Sequence, residues 1–386
     1  MNKKVCFINT VGRAYDYFLK DQLKHLKNSN YDLTFICSDK NDIKSKLEQE
    51  IRIIEIPMRR GASITDLIKC TFQFYNHFKK NNYDMVVYSG PNASFYASVA
   101  AKLHRIPVRV YSQWGIRYTG NLGITRFIFK LLEKITCICS TIVQPDSKSN
   151  LDFGVKEGLY ISSKAYVIWN GSAKGIDFNV FDINKKVLWR EEIRKKYLIS
   201  SNDIVVGFVG ALRKDKGTNE LLRAFKELLS TLESAKLLLI GDKDLYRTVN
   251  SELRNWADNS SNVIFCGNTQ EVYKYYAAMD IFLFPSYREG FGMGPIEAGA
   301  MEIPVVASNI PGPVDSIIDG ETGFLVEVKD WVQLKNKLIQ LATDVHLRVE
   351  IGKNARILIK ESFDKDVLMD KYLEDKNRLI NSYNSR

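Results

Sequence analysis

The chain has 386 residues, of which 45% are hydrophobic and 26% charged, a composition typical of a globular protein long enough for two domains. Its six scattered cysteines lie mostly in apolar segments, which predicts reduced thiols and argues against a disulfide framework or a zinc knuckle. No apolar stretch approaches the ~20 residues that span a bilayer, and the first apolar run is too short for a signal peptide. These features predict a cytoplasmic protein, either soluble or peripherally attached to a membrane.

The net charge of +10 is unevenly distributed along the chain. Residues 1–180 contain 26 Lys and Arg against 15 Asp and Glu, which gives +11, whereas residues 181–386 contain 29 against 30, which gives −1. We therefore expect the first half to meet an anionic partner. The sequence carries none of the nucleic-acid recognition motifs, so we expect no nucleic acid and favour an anionic membrane with a phosphorylated lipid.

Short apolar runs alternate with helical patterns along the whole chain, which is typical of parallel α/β architecture. The predicted strands of the first half are Val5–Asn9, Leu33–Cys37, Ile51–Ile56, Met85–Tyr88, Val108–Tyr111, Ile142–Gln144 and Tyr166–Ile168. Those of the second half are Ile204–Val209, Lys236–Ile240, Val263–Cys266, Ile281–Phe284, Val305–Ala307 and Gly323–Val326. The predicted helices between them include Tyr15–Lys27, Ser94–Leu103, Leu221–Thr231 and Pro295–Met301.

The turn signal Asn170-Gly171, followed by a charged segment, predicts the domain boundary. We expect one Rossmann-like domain over residues 1–180 and a second over residues 181–362. Residues 363–386 are predicted to form a helical tail that could cross back to the first domain.

Amphipathic character is strongest around residues 124–138. Arg126, Lys130 and Lys134 recur every four residues and so form one basic stripe. The apolar side would consist of Ile124, Phe127, Ile128, Leu131, Leu132, Ile135 and Ile138. Two further basic pairs of this half are Arg59-Arg60 and Lys79-Lys80. The pattern predicts a helix that docks on an anionic membrane, with a buried helix of the α/β domain as the alternative.

The most informative segment runs from residue 285 to residue 297 and joins a predicted strand to a predicted helix. Its glycines stand at alternate positions, namely Gly290, Gly292 and Gly294. They allow the backbone to approach a ligand closely, and the N–H groups at the start of the helix suit a phosphate or a sugar. Glu289 and Glu297 flank the glycines and can accept hydrogen bonds from hydroxyl groups. The alternative is an ordinary turn with a carboxylate that complements the helix dipole.

A second segment, Val209-Gly210-Ala211-Leu212-Arg213-Lys214-Asp215-Lys216-Gly217, also follows a strand and precedes a helix. Its three cations within four residues predict a clamp for a diphosphate at the carboxyl end of the strand. A solvated charged loop is the alternative.

In the first half, Gly12 and Arg13 follow the first predicted strand, and Gln113 and Trp114 follow the strand Val108–Tyr111. All four are candidates for contacts with an acceptor at the same edge of the sheet, although a plain turn and a packed core tryptophan are equally consistent. A single glycine after the first strand is not the dinucleotide fingerprint. Since no metal-ligand spacing, Walker loop or Ser-His-Asp set is visible either, we expect no cofactor and no metal.

The spacing of Glu289 and Glu297 around Gly290-Phe291-Gly292 resembles the E-x7-E motif of the retaining glycosyltransferases of family four. Those enzymes have the GT-B fold, in which two Rossmann-like domains face a central cleft. Lys216-Gly217, Trp169-Asn170-Gly171 and the run from Asn309 to Val326 add to the resemblance, which covers most of the second half. In the first half, residues 112–118 look most like members from capsule and O-antigen gene clusters.

The resemblance implies roles for individual residues. Glu289 would bind hydroxyls of the transferred sugar, Glu297 the ribose, and Lys216 the diphosphate. The backbone from Phe291 through Met293 to Gly294 would hold the sugar and the distal phosphate. Many relatives have an arginine where this chain has Ala211, and we expect Arg213 to supply that charge. Many also have a histidine where this chain has Gln113-Trp114.

The implied reaction is a metal-independent, retaining transfer from a nucleotide diphosphate sugar, with UDP as the expected nucleotide. The sugar would be an N-acetylated hexosamine or a deoxyhexosamine, and the acceptor a polyprenyl-diphosphate-linked saccharide of capsule or surface polysaccharide synthesis. The first domain would face the acceptor and the inner face of the cell membrane, and the second would bind the donor. Two alternatives remain: a GT-B-fold epimerase, against which the shortage of histidines argues, and a non-catalytic sugar-nucleotide-binding subunit, which Ala211 makes plausible.

Overall fold

The structure is a computed structural model that describes residues 3–43, 51–58 and 64–384. The chain divides into two compact units, one formed by Met1–Gly175 with Asp366–Arg386 and the other by Ile176–Lys365. The basic pair Arg59-Arg60, which was expected to add positive charge, lies outside the described residues.

The first unit is built on a parallel six-stranded sheet in the order β3-β2-β1-β4-β5-β6. Its strands are β1 (Lys3–Asn9), β2 (Tyr31–Cys37), β3 (Arg52–Glu55), β4 (Met85–Ser89), β5 (Val108–Gln113) and β6 (Ile142–Pro145). A π-helical turn, Tyr15–Leu19, leads into the first of its helices, which are α1 (Lys20–Asn28), α2 (Ile64–Lys80), α3 (Pro91–Leu103), α4 (Gly123–Cys139) and α5 (Lys148–Lys156). All five residues of β4 are buried because helices cover both faces of the sheet.

The second unit repeats this topology with the order β12-β11-β10-β7-β8-β9. Its strands are β7 (Val205–Val209), β8 (Lys236–Ile240), β9 (Val263–Gly267), β10 (Ile281–Phe284), β11 (Val305–Ser308) and β12 (Phe324–Val326). Its helices are α6 (Lys186–Lys196), α7 (Thr218–Leu228), α8 (Ser251–Asn259), α9 (Val272–Ala278), α10 (Met293–Ala300), α11 (Trp331–Thr343) and α12 (Val345–Ser362). The predicted α/β class with parallel sheets is confirmed.

In both sheets the first and fourth strands of the unit lie side by side. β1 pairs with β4 through Val5 and Met85, and β7 pairs with β10 through Val206 and Ile281. At such a pair the strand order reverses, so the connections that leave the two strands turn to opposite sides and open a crevice at their carboxyl ends. The fold therefore provides one natural ligand position in each unit.

The last helix, α13 (Lys365–Asn384), contributes its residues from 366 onward to the first unit. Its buried Asp375 accepts hydrogen bonds from Gln144 (2.7 Å) and Tyr166 (2.5 Å), and the buried Lys376 donates to Gln144 (2.8 Å). Burial alone raises the pKa of Asp375, but the charge of Lys376 and these hydrogen bonds bring it below its usual value. Breaking such a buried charge pair costs about 3–5 kcal/mol, so the network holds α13 against the first sheet.

One predicted strand, Tyr166–Ile168, is wrong. Only its neighbour Ala165 forms an isolated bridge, to Val143, and the hydroxyl of Tyr166 is directed at Asp375 in α13. The chain then turns at Trp169, whose φ of +51° cannot continue a strand. Each of the twelve strands described above overlaps a predicted one.

Candidate functional site

The loops that leave β7 and β10 start side by side because these two strands are neighbours at the reversal of strand order. The first loop ends in a short 3-10 turn, Lys214–Lys216, before α7, and the second runs from residue 285 to the start of α10. A backbone hydrogen bond of 3.0 Å from Tyr287 N to the carbonyl of Asp215 joins them. The two charged segments singled out in the sequence thus form one site.

Lys216 and Glu289 meet across these two loops. The Lys216 Nζ lies 2.5 Å from the Glu289 Oε1, and their side chains are 21% and 13% exposed. The pair is therefore reachable from solvent, while its low exposure strengthens the attraction relative to a surface ion pair. A charged ligand group that approaches Lys216 or Glu289 would therefore compete with the other member of the pair.

Gly217 permits this contact. Its φ is +71°, and an added Cβ would lie 2.0 Å from the carbonyl oxygen of Pro285. Any larger residue would have to push the second loop away from the first, because a backbone carbonyl cannot yield as a flexible side chain does. The glycine beside Lys216 thus sets the distance between Lys216 and Glu289.

Arg213 belongs to a second charge cluster of the same loops. Its Nε lies 2.8 Å from Asp215 Oδ1, with the N–H not aligned for a hydrogen bond, and Arg288 approaches the other oxygen of Asp215 at 3.4 Å. Taken together, the two charge clusters of these loops hold three cations, Lys216, Arg213 and Arg288, against two carboxylates, Glu289 and Asp215. This excess of positive charge at the carboxyl ends of β7 and β10 favours an anionic ligand.

The remaining donor-side candidates lie at the start of α10. The helix begins at Met293 and Gly294, directly after Gly292, and no side chain of the N-cap glycine competes for its N–H groups. The ring of Phe291 is buried and packs on Phe363 at 5.1 Å, so only the backbone of Phe291 remains a candidate for a contact with the donor. The start of α10 is thus the part of this loop that the sequence predicts to contact the donor.

The loop after β11 supports this turn from behind. Gly312 has a φ of +103°, and an added Cβ would lie 2.6 Å from the carbonyl oxygen of Gly290. The close approach of Gly312 therefore fixes the position of the backbone at Gly290, in the same way as Gly217 fixes the backbone at Pro285.

Glu297 lies in the second turn of α10 and is only 7% exposed. It accepts a hydrogen bond of 3.2 Å from the hydroxyl of Tyr276 in α9. Burial, followed by the charge of Glu297, raises the pKa of Tyr276 well above its ordinary value, so this hydroxyl stays a donor. Sequence reasoning did not identify Tyr276, because no local pattern links α9 to α10.

In the first unit, the predicted acceptor-side residues flank β1 and β5. Gly12 lies against the backbone carbonyl of Asp39, and the exposed Arg13 faces Asp42 with 3.6 Å between Nε and Oδ2. Trp114 is half-buried and packs on Phe18 at 5.2 Å between ring centroids. Of these, Arg13 is the side chain most available to a ligand, since 58% of it is exposed.

Gln113, which was predicted to contact an acceptor, lies inside the first unit. It is completely buried, its Nε2 donates to Glu133 at 2.6 Å, and its Oε1 accepts from Tyr160 at 3.0 Å. Tyr111 donates to the same carboxylate oxygen at 2.8 Å, and burial raises the pKa of Glu133. With both ends of its amide bonded inside the unit, Gln113 supports the end of β5 in this structure and does not face an acceptor.

Helix α4 carries five of its large apolar residues outward, whereas Phe129, Leu132 and Ile135 are half-buried. The large exposed side chains form a ridge at helical spacing, hereafter the α4 ridge, made of Ile124, Phe127, Ile128, Leu131 and Ile138. The buried side of the helix instead holds Glu133, Thr136, Cys137 and Cys139. In the basic stripe beside the ridge, Lys130 and Arg126 lie 2.8 and 3.9 Å from Glu157, whereas Lys134 is exposed.

Over the described ranges, no group of three or more His, Cys, Asp or Glu side chains is arranged to hold a metal ion. Within the same residues, none of the helices combines the length and the apolar character needed to cross a membrane.

Two family models match the chain. One, described as glycosyl transferases group 1, matches residues 189–358, and the other, described as glycosyl transferase 4-like, matches residues 4–142. The chain is 30% identical to the capsular polysaccharide biosynthesis glycosyltransferase CapM of Staphylococcus aureus, with 96% of this chain and 95% of the relative covered. It is 24% identical to the UDP-Gal:alpha-D-GlcNAc-diphosphoundecaprenol alpha-1,3-galactosyltransferase of Escherichia coli, with 90% of each chain covered.

Among solved structures, the chain resembles HepE of Anabaena in complex with UDP and glucose. The TM-score is 0.79 at 20% identity, and the match covers 98% of this chain and all of the other. The likeness confirms the predicted GT-B fold.

The glycine contact beside Lys216 leads to a stability prediction. We expect Gly217→Ala to lower the free energy of unfolding by ~1–3 kcal/mol more than Gly320→Ala, because only the first variant adds a clash to the backbone strain. Gly320 is a matched control, since its φ is +81° and an added Cβ would meet no atom within 4 Å. Urea denaturation of both variants measures the difference, and equal losses would contradict the role given to Gly217.

Proposed function

This chain belongs to the group 1 glycosyltransferases, and on that premise we propose that it transfers a sugar from a UDP-linked donor, with retention of configuration, to a polyprenyl-diphosphate-linked saccharide. The observation that carries the proposal is the contact of 2.5 Å between Lys216 and Glu289 at the strand reversal of the second unit. A cation and a carboxylate in contact support this proposal, because one ligand that carries a diphosphate and sugar hydroxyls could bind both.

Donor binding would exchange the partners of this ion pair. The diphosphate would lie against Lys216 and the first N–H groups of α10, where the helix dipole also favours negative charge. Glu289 would then be released to accept hydrogen bonds from hydroxyls of the sugar, and Glu297 from those of the ribose. Because Gly217 and Gly312 hold both loops by backbone contacts, little reorganisation is needed when the partners change.

The reaction needs charge stabilisation more than a protein base. The acceptor oxygen forms its bond to the anomeric carbon while the bond from that carbon to the diphosphate oxygen breaks. The hydroxyl proton passes to an oxygen of the departing diphosphate, on the same face of the sugar, so the configuration is retained. Lys216 and Arg213 would stabilise the charge that develops on that diphosphate. In this structure Arg213 lies 2.8 Å from Asp215, and the diphosphate would compete with Asp215 for it.

The names of similar proteins support the substrate classes. The similar enzyme of Escherichia coli is named for a UDP sugar and a diphosphoundecaprenol-linked acceptor, and the similar protein of Staphylococcus aureus is named for capsular polysaccharide. We therefore propose that this chain acts in capsule or surface polysaccharide synthesis. For the transferred sugar we propose an N-acetylated hexosamine or a deoxyhexosamine, as expected from the sequence, although the Escherichia coli enzyme is named for galactose.

We also propose that the first unit docks on the inner face of the cell membrane through the α4 ridge. Phe127 is 65% exposed and Ile124 is 72% exposed, so folding leaves this apolar surface unburied. An apolar ridge beside a basic stripe matches a bilayer with anionic headgroups. The excess charge of +11 in residues 1–180 acts in the same direction.

The first test of the proposed chemistry replaces Glu289. We expect Glu289→Gln to lower kcat by about 100-fold or more, because the amide loses the charge that orients sugar hydroxyls and Lys216. The assay measures UDP release from whichever UDP-sugar of a panel supports turnover by the unmodified protein. Glu327→Gln is the matched control, since Glu327 is exposed directly after β12 and its carboxylate accepts a hydrogen bond of 3.3 Å from Asn309, which belongs to neither of the two loops of the site. A Glu289→Gln rate within about threefold of the unmodified protein would refute the assignment.

A second test concerns the charge that stabilises the leaving group. If Lys216, Arg213 and the N–H groups of α10 supply that charge, the same UDP release should persist in excess EDTA. A complete loss of turnover that only Mn²⁺ or Mg²⁺ restores would show that a metal takes this part. Thermal unfolding with and without EDTA is the control for an effect on the fold.

A third test addresses the α4 ridge by co-sedimentation with vesicles that contain phosphatidylglycerol. The variant Ile124→Asp/Phe127→Asp/Leu131→Asp should lose most vesicle binding while keeping the fold, because it alters exposed side chains only. The matched control, Val187→Asp/Leu188→Asp on α6, changes apolar residues that are 68% and 63% exposed in the other unit and should bind normally. Binding should weaken as salt shortens the Debye length. Equal sedimentation of the ridge variant would end the docking proposal.

A further inference from the structure

A cavity of about 570 Å³ opens in the first unit beside the α4 ridge. It lies between the last turns of α4 and the segment that ends α5 and continues to residue 164. Its lining includes Lys134, Ile138, Val155, Leu159, Ile161 and Lys164. The volume falls within the range of small-molecule sites in proteins, ~300–1,000 Å³. The reaction proposed above does not use this cavity.

The walls of the cavity are apolar and partly open to solvent. Ile161 is 69% exposed, Ile138 is 52% exposed and Val155 is 37% exposed, which is unusual for large aliphatic side chains that lie so close together. Ile138 also belongs to the α4 ridge, so the cavity continues the surface proposed to enter the membrane. Its apolar part therefore suits an acyl chain.

Two ammonium groups accompany these walls. Lys164 Nζ donates to the carbonyl oxygen of Ile138 at 3.4 Å, which places it at the end of α4, and Lys134 lies one turn earlier. Among the described residues, no carboxylate is found at salt-bridge distance from either lysine, whereas the other two cations of the stripe share Glu157. The cavity thus combines an apolar wall with positive charge that the protein does not neutralise there.

The surroundings of Lys164 also favour an added anion. Burial lowers the pKa of Lys164, and the nearby charges of Lys102 and Arg109 lower it further, against an opposing effect of Cys137. A bound phosphate would offset the repulsion among these cations.

The position of the cavity separates it from the acceptor. α4 runs antiparallel to the strands, and its last residue, Cys139, accepts a hydrogen bond of 2.8 Å from Arg109 at the start of β5. The cavity therefore lies at the amino ends of the strands, while ligands of such sheets bind at the carboxyl ends. Since α4 has 17 residues, the two ends are about 25 Å apart. A diphosphate attached directly to the reacting sugar cannot span that distance.

We propose that this cavity binds one anionic glycerophospholipid of the membrane, with an acyl chain along Ile138, Val155 and Leu159 and the phosphate between Lys134 and Lys164. The proposal rests on the membrane attachment proposed for the α4 ridge, and it adds a specific lipid site to that non-specific surface. The bound lipid would fix the depth and the rotation of α4 at the headgroup layer.

The experiment titrates the full chain with dihexanoyl phosphatidylglycerol below its micelle concentration, by isothermal calorimetry, so that no bilayer is present. We expect saturable binding of one lipid per chain. Lys134→Ala/Lys164→Ala should weaken it about tenfold or more, because two phosphate contacts are lost, and Val155→Trp should weaken it similarly by filling the cavity. Lys79→Ala/Lys80→Ala, which removes two exposed charges of α2, should leave the affinity within about twofold.

The comparison ligands separate the possible sources of binding. Glycerol phosphate and inorganic phosphate should bind far more weakly, and so should dihexanoyl phosphatidylcholine. Absence of saturable binding, equal affinity for any of these ligands, or an equal loss in Lys79→Ala/Lys80→Ala would overturn the lipid site. The ridge variant of the vesicle assay should still bind the monomeric lipid. If the unmodified protein binds this lipid but does not sediment with vesicles, the docking proposal fails and the lipid site stands.

Discussion

The strand order of the second sheet reverses at one pair of neighbouring strands, and the candidate site depends on this reversal. The pair is β7 and β10, so the loops that follow them leave the sheet at the same point and in opposite directions. A lysine from one loop and a glutamate from the other can then touch although 73 residues separate them in the chain. The first sheet has the same reversal at β1 and β4, where Asn9 donates to Ser89 at 2.8 Å, but a neutral hydrogen bond occupies the place of the charge pair. The same topology thus supports different chemistry in the two units.

The Lys216–Glu289 pair also limits what the site can bind well. A ligand that satisfies only one member leaves the other as a poorly solvated charge, and such charges are costly to leave unpaired. A neutral sugar or an isolated phosphate therefore gains less than a ligand that carries both groups on one skeleton. Under the proposed function, the pairing itself would therefore favour a sugar diphosphate, before any contact with the base is considered. In the cluster of Arg213, Asp215 and Arg288, a single carboxylate lies near two cations, so the proposed diphosphate would meet positive charge that Asp215 neutralises only in part.

The sequence predicted the strands and the charged loops well because both are local features. Apolar runs such as Ile281–Phe284 indicate buried strands, and glycines next to charged residues indicate loops at strand ends. Tyr166–Ile168 had the same apolar and aromatic character, but its tyrosine bonds to Asp375, more than two hundred residues later. The spacing of apolar and basic residues in α4 likewise indicated an apolar side and a basic side, but it did not indicate which side of the helix faces the core. That choice is made by Tyr111 and Gln113, which donate hydrogen bonds to Glu133 and draw the helix's single acidic side chain into the unit, while Tyr160 donates to Gln113 and holds its amide in place.

The orientation of α4 has an energetic consequence that links the fold to its surroundings. Burying Glu133 inward requires its hydrogen-bond partners, and in this helix it also turns Ile124, Phe127 and Leu131 towards solvent. Removing apolar surface from water is favourable by roughly 25 cal/mol for each Å². Folding does not bury the α4 ridge, so this stabilisation is still available from a partner that covers it. A bilayer can supply that burial, and the neighbouring cations add attraction to anionic headgroups without being buried themselves. The inward glutamate and the outward ridge are therefore two results of one choice, in which a polar core contact is kept and an apolar face is left for a partner.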